Sequence, residues 1–260
     1  MKPGSIIIGS KLANIKTNGW QQLDKKTISE NYQKVQERMK VSANSAGRDA
    51  QDIKLVVVTK GQSIESVQNA ICAGIHVFGE NYVQEAINKI ESFADEKELE
   101  WHMIGHIQSR KARNVCEHFN WVESLDSLKL ARRLDRYSGE EDRVLPILLE
   151  FNVSGEESKF GWPAWNETLW NELLLDIEQI LELPNLAVSG LMTMPPLTTN
   201  PKNVRPYFQR LRKLQAFLRK EFSQISWDEL SMGMSGDFEI AIQEGATIVR
   251  VGTAIMGPRI

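Results

Sequence analysis

Leu55-Val56-Val57-Val58-Thr59-Lys60-Gly61 is the stretch from which the fold can be read. Four apolar residues in a row, three of them β-branched, read as a strand buried on both faces. The strand ends in a lysine, Gly61 turns the chain, and a helical pattern begins at Ser63. Strand ends that open into short loops are where α/β folds place chemistry, because the scaffold is rigid and the loops face ligand. Two readings of Lys60 stand at this point. Its amine snorkels to solvent, or it is desolvated at the mouth of a core, is neutral more often, and can form a Schiff base.

The pattern repeats on either side of this stretch. Apolar runs predict further strands at 75–78, 101–104, 121–123, 144–153, 186–192, 227–230 and 247–251. Helical periodicity fills the gaps between them. A capping box, Thr27 with Glu30, opens a helix that carries Ile28, Tyr32, Val35 and Met39. The helix from Ser63 directs Ile64, Val67 and Ile71 inward, and a later one directs Trp165, Leu169, Leu173 and Ile177 inward. A long amphipathic helix follows, with Val204, Tyr207, Phe208, Leu211, Leu214 and Leu218 on one side. Strands alternating with helices specify parallel pairing through right-handed crossovers. Eight such units predict an α/β protein with a single (β/α)8 barrel, typically about 250 residues long. An open doubly wound sheet is the alternative, since periodicity does not show closure. The expected division is a flexible N-terminal extension at 1–26 and the barrel at 27–260.

Composition narrows the function classes. The net charge of −3 supplies no basic field for nucleic acid or an anionic membrane, and Arg110, Lys111 and Arg113 read as a solvated helix face. No apolar run approaches the roughly 18 residues of a spanning helix. Cys72 and Cys116 read as reduced core thiols of a cytoplasmic protein. His102 and His106 fall on a strand and its loop, so they do not share a helix face, and no cysteine near them completes a zinc set.

In a barrel the C-terminal ends of all strands meet at one rim. Those ends carry Lys60, Asn81, His106, Ser124, Asn152, Thr193, the run Ser231 to Ser235, and Arg250 to Thr253. Met232-Gly233-Met234-Ser235-Gly236 and Gly252-Thr253 follow the last two strands, where barrel loops often bind phosphate through backbone N–H groups. Turn residues alone are the other reading. Arg250 stands in the apolar strand Ile248-Val249-Arg250-Val251, where a charge is costly unless paired or facing a ligand. It pairs with a carboxylate such as Asp237 or Glu239, or it reaches a heteroaromatic nitrogen. Lysine, phosphate loop and arginine together describe a site for pyridoxal 5'-phosphate (PLP).

Seven segments carry a resemblance to a known family: LVVVTK (55–60), FGENYVQE (78–85), WHMIGHIQSRK (101–111), VSGEESKFG (153–161), GLMTMPP (190–196), LSMGMSGDFEIAI (230–242) and VRVGTAIMGPR (249–259). The chain resembles the pyridoxal phosphate homeostasis proteins (the YggS/PROSC family), whose barrel is akin to the N-terminal domain of alanine racemase. The resemblance implies that Lys60 carries PLP as a Schiff base and that Ser235, Gly252 and Thr253 hold the phosphate. It implies further that Arg250 faces the pyridine nitrogen and that Asn81, His106 and Met192 border the ring. Residues 1–26 extend beyond the family's usual start, Gly61-Gln62 replaces a Thr/Lys-rich turn, and Arg110 stands where asparagine is usual.

A carrier that keeps and hands over PLP without substrate turnover is the function expected, with PLP-dependent apo-enzymes as recipients and a monomer as the default state. A PLP-dependent amino-acid racemase is the alternative. Racemisation needs a second base, which related racemases take as a tyrosine from an added domain, and none of the four tyrosines here follows the barrel. Lys159, in the loop after the fifth strand, reads as a second amine for transfer or as a loop lysine paired with Glu156 or Glu157.

Overall fold

The computed structural model describes residues 23–258 apart from 197 and 199, so residues 1–22 of the expected extension lie outside it. The strands are β1 (Lys54–Val58), β2 (Val77–Glu80), β3 (Glu100–Met103), β4 (Trp121–Leu125), β5 (Leu145–Asn152), β6 (Trp162–Pro163), β7 (Leu186–Met192), β8 (Glu229–Ser231) and β9 (Ile248–Val251). All pairings are parallel. The order β1-β2-β3-β4-β5-β7-β8-β9 closes on itself through the β9–β1 and β4–β5 pairs, which excludes the open sheet. The two-residue β6 adds to β5 beside Phe151 and Asn152. The protein is a single (β/α)8 barrel.

Closure explains the apolar run that opened the reading. Successive strand side chains alternate between faces, and here both faces are buried. Val56 joins Leu148, Met192 and Ile248 in a small cluster inside the ring. Val57 belongs to the larger core between strands and helices, with Phe78, Val251 and Ile255. That outer layer is supplied by α1 (Lys25–Ser45), α2 (Ile64–Cys72), α3 (Val83–Ser92), α4 (Ala112–His118), α5 (Leu128–Glu140), α6 (Leu174–Leu181), α7 (Arg205–Glu221), α8 (Phe238–Gln243) and α9 (Thr253–Met256). The α7 stripe falls as its spacing predicts, with Phe208, Leu211, Leu214 and Leu218 buried.

Several local expectations are corrected. Helix α1 starts at Lys25 because Asp24, not Thr27, is its cap: Asp24 Oδ1 accepts from Thr27 N at 2.8 Å. In α2 Val67 and Ile71 pack on the core as expected and Ala70 joins them, but Ile64 is exposed. Trp165 and Leu169 are also exposed. The segment Glu167–Leu173 is a 3-10 helix, whose three-residue turn shifts the phase and brings Trp170 and Leu173 inward. Cys116 is buried but Cys72 is exposed, and both are free thiols. Strand β2 runs on to Glu80, two residues past the expected end at 78. Among the described residues no helix is long and apolar enough to cross a membrane.

Candidate functional site

A cavity of about 340 Å³ opens among the C-terminal ends of the strands. Six residues expected at a site line it: Lys60, Asn81, Ser235, Arg250, Gly252 and Thr253. Two others do not. Met192 is wholly buried inside the ring beneath Met194, which lines the cavity in its place. His106 is exposed on the rim, where Nδ1 meets Asp126 Oδ2 at 2.6 Å and the ring stacks on Phe160 at 3.9 Å.

Lys60 stands two residues past the end of β1, after Thr59. Gly61 then takes φ +71°, a left-handed conformation that glycine adopts without steric cost, and the chain turns sharply into α2. The Gly61 N–H donates to Glu85 Oε1 at 2.6 Å, so the turn is tied to α3. Half-buried, Lys60 sits between this anchored turn and the cavity.

Arg250 is inward-facing on β9 and 3% exposed. Nη2 donates to Thr193 O at 2.8 Å and Nη1 to Ser231 Oγ. The expected carboxylate partners are corrected. Glu239 pairs with Arg38 on the outside, and Asp237 Oδ1 accepts from Met234 N at 2.6 Å. The carboxylate nearest Arg250 is Glu123, at 3.6 Å.

Behind that pair a charged column runs down the inside of the barrel. Glu123 Oε2 accepts from Ser231 Oγ at 2.5 Å, and Glu123 Oε1 meets His102 Nδ1 at 2.5 Å. His102 Nε2 meets Glu100 Oε1 at 2.7 Å, and Lys54 Nζ donates to the same oxygen at 2.7 Å. A neutral imidazole has only one N–H. A carboxylate at each ring nitrogen therefore calls for the imidazolium, and its two hydrogen bonds raise the His102 pKa against burial. Burial works against ionised Glu123, and His102 and Arg250 nonetheless hold its pKa below the usual range. The Glu100 pKa is lowered to about 2, first by the His102 hydrogen bond. Charges thus alternate from Lys54 at the closed end to Arg250 at the cavity.

The opposite side of the cavity is backbone. Gly233 takes φ +95° at the start of the loop after β8, and a Cβ there would meet Ala241 Cβ at 2.5 Å. The loop thereby brings Ser235 across to β9, where Ser235 Oγ accepts from Gly252 N at 3.2 Å and Ala254 N at 3.4 Å. Two N–H groups converging on one oxygen form a place suited to an anion's oxygen. Helices α8 and α9 have only six and four residues, so local N–H groups rather than a long helix provide this character. Burial raises the Asp237 pKa, against the Met234 N–H hydrogen bond and the Arg250 charge, which lower it.

The remaining rim residues hold loops. Asn152 Oδ1 accepts from Ser154 N and Gly155 N, at 3.1 and 2.9 Å, and shapes the loop after β5. Ser124 Oγ donates to Gly105 O, and Thr193 Oγ1 to Phe151 O. Lys159 makes no ion pair with Glu156 or Glu157 among the described residues; its Nζ donates to Pro195 O at 3.4 Å. Reading strand ends alone missed His102 and Glu123. The signal was present: Glu100 and His102 stand two apart on a strand, hence on one face.

The geometry has counterparts. Residues 23–259 match the model of the family "Alanine racemase, N-terminal domain". The pyridoxal phosphate homeostasis protein of Pseudomonas aeruginosa is 43% identical over 233 residues, covering 90% of this chain and 96% of that protein. The Vibrio alginolyticus protein of the same name is 39% identical, over 90% of this chain and 98% of its own. The chain belongs to the pyridoxal phosphate homeostasis protein family. PipY of Synechococcus elongatus, solved with PLP bound, superimposes with a TM-score of 0.76 at 34% identity, covering 88% of this chain and all of PipY.

Proposed function

We propose that this chain binds PLP in the cavity at the C-terminal rim and keeps the cofactor available rather than turning over a substrate. The carrying observation is the convergence of three unlike groups on one cavity: the Lys60 amine, the Arg250 guanidinium and the N–H pair around Ser235. When bound, PLP supplies an aldehyde able to condense with an amine, a phosphate, and a basic ring nitrogen. About 340 Å³ lies at the small end of ligand cavities, a size suited to a one-ring cofactor. Lys60 would hold the aldehyde carbon, Ser235, Gly252 and Thr253 the phosphate, and Arg250 the ring nitrogen. Arg250 has five N–H donors, two of which are committed to Thr193 and Ser231. Asn81 borders the ring in this reading, with Met194 rather than Met192.

The lining supports binding over turnover. Among the described residues, the ionisable groups on it are Lys60, Asp237 and Arg250. Asp237 is engaged with Met234 N–H, and a guanidinium does not serve as a base. A second base for two-base racemisation would have to come from outside this lining. Delivery of PLP to dependent apo-enzymes, by a monomeric cytoplasmic protein, completes the proposal.

The test is a visible absorption spectrum of purified protein mixed with PLP, before and after borohydride, followed by mass spectrometry. A reduced pyridoxyl group on Lys60, lost in Lys60→Ala, is the expected result. Trapping on another lysine, or undiminished trapping in the variant, would overturn it.

A further inference from the structure

The segment FGENYVQE contains two glutamates that the proposed site does not use, Glu80 and Glu85. Both converge on Lys89, a buried lysine of α3 that is 2% exposed. Lys89 Nζ donates to Glu85 Oε1 at 2.6 Å, Glu80 Oε1 at 2.7 Å and the Thr59 carbonyl at 2.6 Å. An ammonium has three N–H donors, so its capacity is filled. Thr59 Oγ1 also donates to Glu80 Oε1 at 2.7 Å.

The bonds to backbone have a particular placement. The Thr59 carbonyl belongs to the peptide group before Lys60, and the Gly61 N–H to the one after it. Lys89 holds the first and Glu85 the second, and these two side chains are bonded to each other. Both peptide planes flanking Lys60 are therefore fixed from behind by one ion pair, in which Lys89 is buried and Glu85 half-buried. The direction of the Lys60 Cα–Cβ bond follows from those planes. Buried ion pairs add little net stability compared with apolar residues of equal volume, so stability alone is a poor reason for the fully buried Lys89–Glu80 pair that completes the cluster.

We propose that Lys89, Glu85 and Glu80 are positioning residues that aim the Lys60 amine at the carbonyl carbon of the cofactor. The proposal rests on Lys60 being the amine that condenses with PLP. In that step the neutral amine adds to the aldehyde carbon, a C=N bond forms, and the aldehyde oxygen leaves as water with both amine protons. The rate depends on where the nitrogen is held. A misplacement of about 1 Å can cost roughly 100-fold.

Two probes separate aiming from general structure: PLP, and pyridoxine 5'-phosphate, which has the ring and phosphate but an alcohol in place of the aldehyde. Lys89→Met is expected to slow borohydride-trappable incorporation of PLP by about 10- to 100-fold. Its affinity for pyridoxine 5'-phosphate should stay within about twofold of wild type, since the phosphate loops and Arg250 are untouched. Should Lys89→Met fail to fold, Glu85→Gln keeps an acceptor for Gly61 N–H and removes the charge facing Lys89. A smaller slowing, about 3- to 10-fold, is expected there with the same indifference to the alcohol probe. Wild-type incorporation rates in the folded variants would overturn the proposal, as would equal losses for both probes. Absence of trapping at Lys60 in the wild-type protein would overturn the parent reading, and this one with it.

Discussion

The two walls of the cavity are made of different material. On one side Gly252 and Ala254, at the start of α9, present backbone N–H groups, and Ser235, in the loop after β8, presents a hydroxyl. On the other, Lys60 and Arg250 are side chains, and each is backed by charge: half-buried Glu85 with buried Lys89 behind the first, buried Glu123 and His102 behind the second. Backbone donors are placed by the fold itself and need no further support. A long side chain has rotamers to choose among, and neighbours must remove that choice. The loop wall should therefore tolerate side-chain changes, whereas the charged wall should fail when any member is lost.

The largest expected effect is on the charged wall. Glu123→Ala leaves His102 and Arg250 buried without the carboxylate between them. Breaking a buried pair by removing one partner costs about 3–5 kcal/mol, which urea unfolding would read directly. A loss under about 1 kcal/mol would mean that the column is not an interdependent unit, and the contrast between the walls would dissolve.

Glu150 sharpens the same point through pH. It lies inside the barrel at 2% exposure, its Oε2 has no hydrogen-bond partner, and burial pushes its pKa from 4.5 to about 7. Asp126 adds to that rise, while Arg250 and Lys159 oppose it. The folded pKa exceeds the unfolded one, so the stabilising contribution is complete below about pH 4.5 and is lost as pH rises through about 7. The amount at stake is on the order of 3 kcal/mol. Glu150→Gln should remove that slope and be the more stable protein at pH 8. Parallel stability profiles for the two proteins between pH 4.5 and 8 would show that Glu150 is solvated or paired in solution.

The loop wall is tested by the ligand. Pyridoxal, lacking the phosphate, should bind at least ~100-fold more weakly than PLP, about 2.7 kcal/mol, the equivalent of one or two charge-assisted hydrogen bonds. Equal affinities in a titration would remove the phosphate from this wall.

The legible parts of the molecule were those set by local pattern. The alternation of apolar strands and amphipathic helices carried the barrel, and the short loops after β1, β8 and β9 carried Lys60, Ser235 and Gly252. The illegible parts depended on partners far apart in sequence. Lys89 reads as an ordinary helix lysine until β1 and β2 bring Thr59 and Glu80 against it. Arg250 was open to pairing with nearby Asp237 or Glu239, but closure of the ring makes Glu123 its neighbour. His106 lies outside the cavity lining, two positions past Ile104 and in contact with Asp126 and Phe160, a placement that no strand-end count could supply.

The smallest expected effect is Ser235→Ala. Its hydroxyl accepts from Gly252 N and Ala254 N at 3.2 and 3.4 Å, at or beyond the long end of the usual N–H···O range. Both donors remain in the alanine variant, because the backbone of each loop is set by its own strand and turn. The ligand loses one hydroxyl contact and retains the N–H groups. PLP affinity should therefore fall only about fivefold, near 1 kcal/mol, with trapping at Lys60 unimpaired. Ser235→Asp should do far more, since a carboxylate would stand where a phosphate oxygen is to be received and both are anionic. If alanine proved as damaging as aspartate, the hydroxyl rather than the backbone would be the principal phosphate ligand, and the two walls would be alike in depending on side chains.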